Sequence, residues 1–117
     1  MQIRPLADAY VTVYESPDPD RVFCYSPGLA RLPGGRLIAT MDLGGPGVAD
    51  LPGKHADIPE CQPTWQGRIY TSDDRGETWD LRATFPFMHA RPFVAGDAVY
   101  VLGHAGDLMI KIGRAHV

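Results

Sequence analysis

Three aspartates in the middle of the chain have the side-chain type that glycoside hydrolysis uses. Asp42, Asp50 and Asp57 lie in or beside a segment rich in proline and glycine. Cleavage of a glycosidic bond uses one carboxylic acid together with a second carboxylate or an equivalent nucleophile, and these three side chains are the candidates. Aspartates in such segments also cap turns with their side chains, and that alternative stays open for each of them.

A histidine and an arginine stand two residues apart at His89 and Arg91. An imidazole and a guanidinium at the start of one strand can bind a carboxylate or sugar hydroxyls, although Arg91 could equally pair with a neighbouring acid. His55 and His104 add two further imidazoles. A metal site would need these groups together with Asp42, but no ligand spacing such as HxH or HExxH is present. We therefore expect neither a metal nor a cofactor.

The elements that must position these side chains are predicted to be β-strands. The 117 residues include 13 glycines and 11 prolines, which separate short apolar and β-branched runs. No stretch has the 3.6-residue periodicity of an amphipathic helix. Short strands between turn residues are typical of an all-β fold.

We predict strands at 6–15, 25–32, 36–43, 68–72, 78–84, 93–95, 98–102 and 107–111. Tight turns are predicted where Pro33-Gly34-Gly35 and Gly96-Asp97 separate two strands, because glycine supplies the positive φ that hairpin turns require. The segment 44–66 is predicted to be a long loop, and loops of that length are usually functional or disordered.

Composition and charge exclude several classes of protein. An apolar content of 44% and a charged content of 21% fit a folded soluble domain. The net charge of −3 gives no reason to expect nucleic acid or an anionic membrane as a partner. No signal peptide is visible, which favours a cytoplasmic protein unless the true start lies upstream. Cys24 and Cys61 form no CxxC motif, and free buried thiols are favoured over a disulfide.

Residues 72–79 form a motif with the sequence Ser-Asp-Asp-Arg-Gly-Glu-Thr-Trp, which matches the Asp box pattern Ser-x-Asp-x-Gly-x-Thr-Trp. Asp74 is expected to accept backbone hydrogen bonds in a turn between two strands. Gly76 is expected to adopt a left-handed backbone and Trp79 to cover the turn, while Ser72 and Thr78 add hydroxyls on either side. The motif resembles those of the sialidase superfamily, where it is a structural turn away from the active site. A calcium or sugar site at the aspartates of the motif is the alternative.

A second stretch, 25–35, resembles the opening strand of sialidases, which runs Arg-Ile-Pro-x-Leu-x-Arg-Leu-Pro-x-Gly. This chain has Tyr25-Ser26-Pro27-Gly28-Leu29-Ala30-Arg31-Leu32-Pro33-Gly34-Gly35. Tyr25 falls on an arginine of the family's catalytic triad, which pairs with the sialic acid carboxylate as a bidentate fork. Tyrosine lacks that charge, so the resemblance implies a sugar other than ordinary sialic acid.

The resemblance implies about one and a half four-stranded blades of a six-bladed β-propeller, with ligands bound at the end of the blades opposite the Asp box. The segments at that end are 22–26, 42–66, 87–91 and 103–107. Their polar residues are Tyr25, Asp42, Asp50, His55, Asp57, Glu60, His89, Arg91, His104 and Asp107. Under this resemblance Asp50 or Asp57 would be the catalytic acid/base. The substrate-binding residues would be Tyr25, Asp42, His89, Arg91 and His104.

The expected function is that of the N-terminal part of an exo-acting glycoside hydrolase of this superfamily, with a carbohydrate as its ligand. The alternative is a non-catalytic propeller that binds carbohydrate or protein, with Tyr25 and Trp65 as stacking platforms. The chain by itself is expected to be inactive, because propeller blades are completed by packing on their neighbours.

We place the partial propeller at residues 1–111, with the first blade at 25–87 and the second at 91–111. The final six residues, Ile112-Gly113-Arg114-Ala115-His116-Val117, resemble the translation of a common sequencing adapter. We therefore expect 112–117 to be a non-native tail, and a natural tail is the alternative.

Overall fold

The computed structural model describes residues 1–58, 62–86, 88–104 and 110–115. These residues form strands and one 3-10 turn at Val48–Asp50, with no α-helix among them, which confirms the predicted all-β class. The strands are β1 (Phe23–Arg31), β2 (Leu37–Gly44), β3 (Ala56–Ile58), β4 (Gln62–Ser72), β5 (Asp80–Phe85), β6 (Met88–Ala95), β7 (Ala98–His104) and β8 (Ile110–Ala115).

The first sheet is an antiparallel meander in which β1 pairs with β2 and β2 pairs with β4. β3 and β5 both pair with β4, along the edge opposite β2. The predicted turn between β1 and β2 is confirmed, because the N–H of Gly35 donates to the carbonyl of Leu32. Gly35 has a φ of 97°, a conformation that residues with a side chain rarely adopt.

The predicted loop 44–66 is wrong in its second half. β3 lies within it, and β4 begins at Gln62 rather than at Arg68. The sequence conceals the start of this strand because both of its faces are buried: Gln66 on one face is 0% exposed, and Ile69 on the other is 4% exposed. A half-buried strand shows alternating polar and apolar residues, and a strand buried on both faces does not.

The second sheet contains β6, β7 and β8 in antiparallel order and packs on one face of the first. Ile38 and Ile69 of the first sheet share a buried core with Ala90, Val99 and Val101 of the second. Burial of apolar side chains between the sheets provides the main driving force for their association, about 25 cal/mol per Å² of apolar surface.

The strands of the second sheet extend further than the sequence predicts. β6 and β7 continue beyond the predicted 93–95 and 98–102, and β8 continues past Lys111 to Ala115. Tyr100 of β7 pairs with Arg114 of β8. Residues 112–115 therefore take part in the sheet, and their assignment to a non-native tail stays a prediction. Positions 116 and 117 lie outside the described residues.

β1 and β6 carry the same backbone irregularity. The register of β1 with β2 shifts after Tyr25, and Ser26 has a φ of 52°. The register of β6 with β7 shifts after Met88, and His89 has a φ of 54°. A left-handed conformation costs a residue with a side chain on the order of 1–3 kcal/mol. In both strands the irregularity lies in the first half of the strand.

The predicted strand at 6–15 is wrong. Residues 1–12 are exposed and form no strand. A β-branched run becomes a strand only where a neighbouring strand accepts its hydrogen bonds, and none of the described strands pairs with this segment. Tyr14, at the end of the segment, instead packs over the guanidinium of Arg68, 4.9 Å from the ring centroid. The N-terminal segment therefore covers part of the face of the first sheet that β6 does not contact.

The structure describes one of the two cysteines, Cys24. Cys24 is a free, exposed thiol, so its predicted burial is wrong. Cys61 lies outside the described residues. A search of the described residues for a helix long and apolar enough to cross a membrane finds none.

The turn between β4 and β5 is closed by side chains of the 72–79 motif. Asp74 accepts hydrogen bonds from the hydroxyl of Ser72 at 2.8 Å and from the N–H of Thr78 at 2.9 Å. Gly76 has a φ of 89°, and the indole N–H of Trp79 donates to its carbonyl at 2.9 Å. These contacts are those expected from the sequence, and they fix the backbone of the turn.

Replacing Asp74 with alanine is expected to lower the melting temperature at neutral pH. The stability of the variant is also expected to fall less steeply than that of the wild type as the pH is lowered. Hydrogen bonds from Thr78 and Ser72 lower the pKa of Asp74 to about 2, from an ordinary value of 3.8. A carboxyl whose pKa is lowered by folding stabilises the protein above the pKa of the unfolded chain, about 3.9. This contribution is lost as the pH falls from about 4 through 2.

Thermal unfolding followed by circular dichroism between pH 2 and 7 checks this prediction. Asp20→Ala is the matched control, because Asp20 is an exposed residue of another turn. Parallel profiles of melting temperature against pH for the wild type and Asp74→Ala would contradict it.

Candidate functional site

Side chains from both sheets meet at the end opposite the 72–79 turn. We call them the aromatic–histidine cluster: Tyr25 of β1, Trp65 of β4, His89 of β6 and His104 of β7. Each residue lies near the strand end that faces away from that turn. The antiparallel registers bring these ends together, since Tyr25 pairs with Asp42 and Trp65 pairs with Gly44 on either edge of β2.

The aromatic half of the cluster is a tilted pair of rings, one of which is exposed. The ring centroids of Tyr25 and Trp65 lie 5.2 Å apart at an interplanar angle of 46°. Tyr25 is 41% exposed, whereas Trp65 is 8% exposed. Phe23 packs edge-on against Tyr25 at 6.5 Å. The exposed tyrosine ring, supported by buried and edge-packed neighbours, offers an apolar face to a ligand at low entropic cost.

The imidazole half of the cluster joins β6 and β7 of the second sheet. Nδ1 of His89 lies 2.5 Å from Nε2 of His104, and their ring centroids are 4.6 Å apart. One of these nitrogens donates and the other accepts, so at least one of the two facing nitrogens is unprotonated. The ring of Trp65 meets His89 edge to face at 6.4 Å. The cluster is therefore continuous from Tyr25 to His104.

Asp42 lies beneath the cluster rather than on its surface. Its side chain is 0% exposed, and Oδ2 accepts a hydrogen bond from the backbone N–H of His89. Oδ1 is buried without a hydrogen-bond partner among the described residues. Burial raises the pKa of Asp42, and the backbone N–H groups of His89 and Ala90 lower it in part. Asp42 therefore fixes the bulge that carries His89.

Arg91 ties β6 to β1. Its Nη1 donates to the carbonyl of Ser26 at 2.9 Å and to the carbonyl of Ala90 at 3.3 Å. Ser26 is the left-handed residue of the β1 bulge. Arg91 is exposed, and its Nε and Nη2 groups donate to no other described residue. These donors remain able to bind an acceptor at the edge of the cluster.

Of the two predicted acid/base aspartates, Asp50 does not lie in the cluster. Asp50 is exposed, and its Oδ2 lies 3.4 Å from Nη2 of Arg21. The backbone of Asp57 lies in β3, where its neighbour Ala56 pairs with Trp65. The side chain of Asp57 lies outside the part of the chain that the structure describes. Among the described residues, no group of three or more His, Cys, Asp or Glu side chains could bind a metal.

Two further predicted positions, Glu60 and Asp107, also lie outside the described residues. His55 is exposed in the segment before β3. Gln66 is a contributor that the sequence does not reveal, because a buried amide has no distinguishing pattern. Its Nε2 donates to the carbonyls of Pro52 and Lys54 at 3.0 and 3.2 Å. Gln66 thereby fixes the segment that leads into β3.

Comparison of the chain with protein-family models, with curated proteins and with solved structures finds no match in any of the three.

Proposed function

We propose that this chain is part of a sialidase-like β-propeller. Three features support the proposal: an antiparallel meander in the first sheet, a second sheet packed on its face, and equivalent bulges after Tyr25 and Met88. Propellers repeat one sheet around an axis, and similar bulges near the start of β1 and of β6 fit such a repeat. The full match of residues 72–79 to the Asp box supports the family.

We propose that the aromatic–histidine cluster is the sugar-binding end of a glycoside hydrolase of this superfamily. The observation that carries the proposal is the convergence of Tyr25, Trp65, His89 and His104 from four strands of two sheets. A sugar ring has an apolar face and a hydroxyl rim, and aromatic rings with adjacent polar donors match both. Arg91 supplies further donors at the edge of the same cluster.

In this proposal each residue has one role. Tyr25 stacks on the sugar ring, His89 and His104 bind its hydroxyls, and Arg91 binds an oxygen at the rim. Asp42 is a positioning residue, because it is buried and acts through His89. Asp57 is the proposed acid/base, since the strand that carries it pairs beside Trp65. The substrate would be a sugar other than ordinary sialic acid.

A non-catalytic carbohydrate-binding propeller is the second candidate. The observation that favours it is that the described part of the cluster has no accessible carboxylate, because Asp42 is fully buried and Asp50 lies beside Arg21, outside the cluster. Glycoside hydrolysis needs an accessible acid and a second carboxylate or equivalent nucleophile. Sugar binding by the cluster requires neither.

Replacing Tyr25 with alanine is expected to weaken glycan binding about tenfold, because the exposed stacking ring is lost. Tyr25→Phe keeps the ring and should retain most of the affinity. The measurement is a glycan array on the 117-residue chain, followed by titration of the bound glycan. Tyr10→Ala is the matched control, since Tyr10 is 94% exposed and remote from the cluster. An array without bound glycans, or equal losses for Tyr10→Ala and Tyr25→Ala, would overturn the proposal.

Hydrolysis is tested on a complete propeller that contains this chain, with aryl glycosides of the sugars bound on the array. Turnover that Asp57→Asn abolishes without loss of binding supports the hydrolase. Binding without turnover supports the second candidate and leaves the sugar-binding role of the cluster intact.

A further inference from the structure

A second cleft, of about 660 Å³, lies at the opposite end of the two sheets from the aromatic–histidine cluster. Three turns form it: the β1–β2 turn, the β4–β5 turn and the β6–β7 turn. The charged residues in its lining are Arg31, Arg36, Asp73, Arg75 and Asp97. Three guanidiniums against two carboxylates give the cleft a positive excess, although the chain as a whole has a net charge of −3.

One wall of the cleft is a fixed ion pair. Nε and Nη2 of Arg36 donate to the two carboxylate oxygens of Asp73 at 2.6 and 2.7 Å. The hydrogen bonds from Arg36 lower the pKa of Asp73, so the carboxylate stays ionised at neutral pH. A bidentate pair of this kind adds geometric specificity to charge-assisted hydrogen bonds. Arg36 and Asp73 therefore balance each other's charge.

The side chains of Arg31 and Arg75 form no ion pair or hydrogen bond with the described residues. A terminal nitrogen of Arg31 lies 3.9 Å from the Cβ position of Gly35, so its guanidinium lies over the β1–β2 turn. Arg75 has a φ of 61° in the β4–β5 turn. The neighbouring N–H of Gly76 donates to Ser72 at 2.8 Å, which fixes the backbone next to this strained residue. Two unpaired cations thus project from fixed turns into one cleft.

We infer that this cleft binds a sulfate or phosphate group carried on a larger molecule. A tetrahedral oxyanion offers three or more oxygens, which suits two guanidiniums that approach from separate turns. The cleft has room for more than the anion itself, so the attached group would occupy the remainder beside Gly34 and Leu32. This site is separate from the proposed sugar-binding end and does not depend on it.

Arg75→Gly is the sharpest test of this site. It removes the guanidinium while leaving a residue that adopts a positive φ readily, so the turn should remain folded. Binding of inorganic phosphate, inorganic sulfate and a sulfated disaccharide is measured by nuclear magnetic resonance titration of the full chain. Arg31→Gln and Arg75→Gly should each weaken binding about fivefold, as expected for loss of one exposed charge contact. Asp97→Asn should strengthen it, because a repelling carboxylate is removed.

Arg4→Gln is the control for total charge, since Arg4 is exposed in the N-terminal segment. Tighter binding of the sulfated disaccharide than of either inorganic ion supports a ligand that fills the cleft. If the inorganic ions bind as tightly as the disaccharide, the cleft is a site for the free ion, which overturns the inference of an attached group. Equal affinity in Arg75→Gly, Arg4→Gln and wild-type protein, with melting temperatures unchanged, would overturn the inference. Chemical-shift changes on titration that do not include residues 31–36 would also overturn it.

Discussion

Replacing Gly67 with alanine is expected to lower the free energy of unfolding by about 3 kcal/mol. Gly67 pairs with Phe85 across β4 and β5, and the phenyl ring lies directly over the glycine. An added Cβ would lie 1.8 Å from Cε2 and 2.3 Å from Cδ2 of that ring. Phe85 is 8% exposed and belongs to the core between the sheets. The ring can therefore move away only by disturbing that core.

Equilibrium denaturation with urea measures this effect, and Gly34→Ala is its matched control. A Cβ at Gly34 meets no atom within 4 Å, so that variant should stay within about 0.5 kcal/mol of the wild type. Both substitutions restrict the unfolded chain in the same way, and this contribution cancels between them. Phe85→Leu should partly rescue Gly67→Ala, because it removes the ring that the new methyl group meets. Equal stability of the two alanine variants would contradict the prediction.

The hairpins are the part of the fold that the sequence predicts best. Pro33, Gly34 and Gly35 mark one turn, and Gly96 marks another, because left-handed backbone restricts the residue types that can occupy these positions. The start of β4 could not be predicted, since it depends on burial of both faces by other elements. The same dependence on partners explains the wrong strand at 6–15, where β-propensity exists without a neighbouring strand.

The candidate site was predictable in its members but not in their roles. Tyr25, His89 and His104 were expected at one end of the blades, and the structure brings them together. Asp42 was expected to contact substrate, but packing of β6 on the first sheet buries it beneath His89. Burial of a single carboxylate depends on the packing of another sheet, and a local pattern does not encode that. Asp50 pairs with Arg21, a contact between residues far apart in the sequence.

Replacing Asp42 with alanine is expected to lower the free energy of unfolding by about 2 kcal/mol, because the part-buried N–H of His89 loses its acceptor and the side chain of Asp42 leaves a void. His89 has a φ of 54°, and the hydrogen bond to Asp42 helps to hold that conformation. Asp42→Asn keeps a carbonyl oxygen for the same N–H and should cost less than Asp42→Ala. Urea denaturation at pH 7 gives both values. A smaller loss for alanine than for asparagine would show that the hydrogen bond does not stabilise the bulge.

Asp42→Asn also isolates the effect of pH on the buried carboxyl. Burial raises the pKa of Asp42 above the ordinary value of 3.8, so the folded protein retains a proton that the unfolded chain releases. Stability then falls as the pH rises from about 4 through the raised pKa, and it stays lower above that pKa. Asp74 acts in the opposite direction at lower pH, but it is present in both proteins and cancels in their difference. The stability of the wild type relative to Asp42→Asn should therefore decrease as the pH is raised from 4 to 7. Urea denaturation across this range measures the difference, and a constant or increasing value would mean that burial does not raise the pKa of this carboxyl.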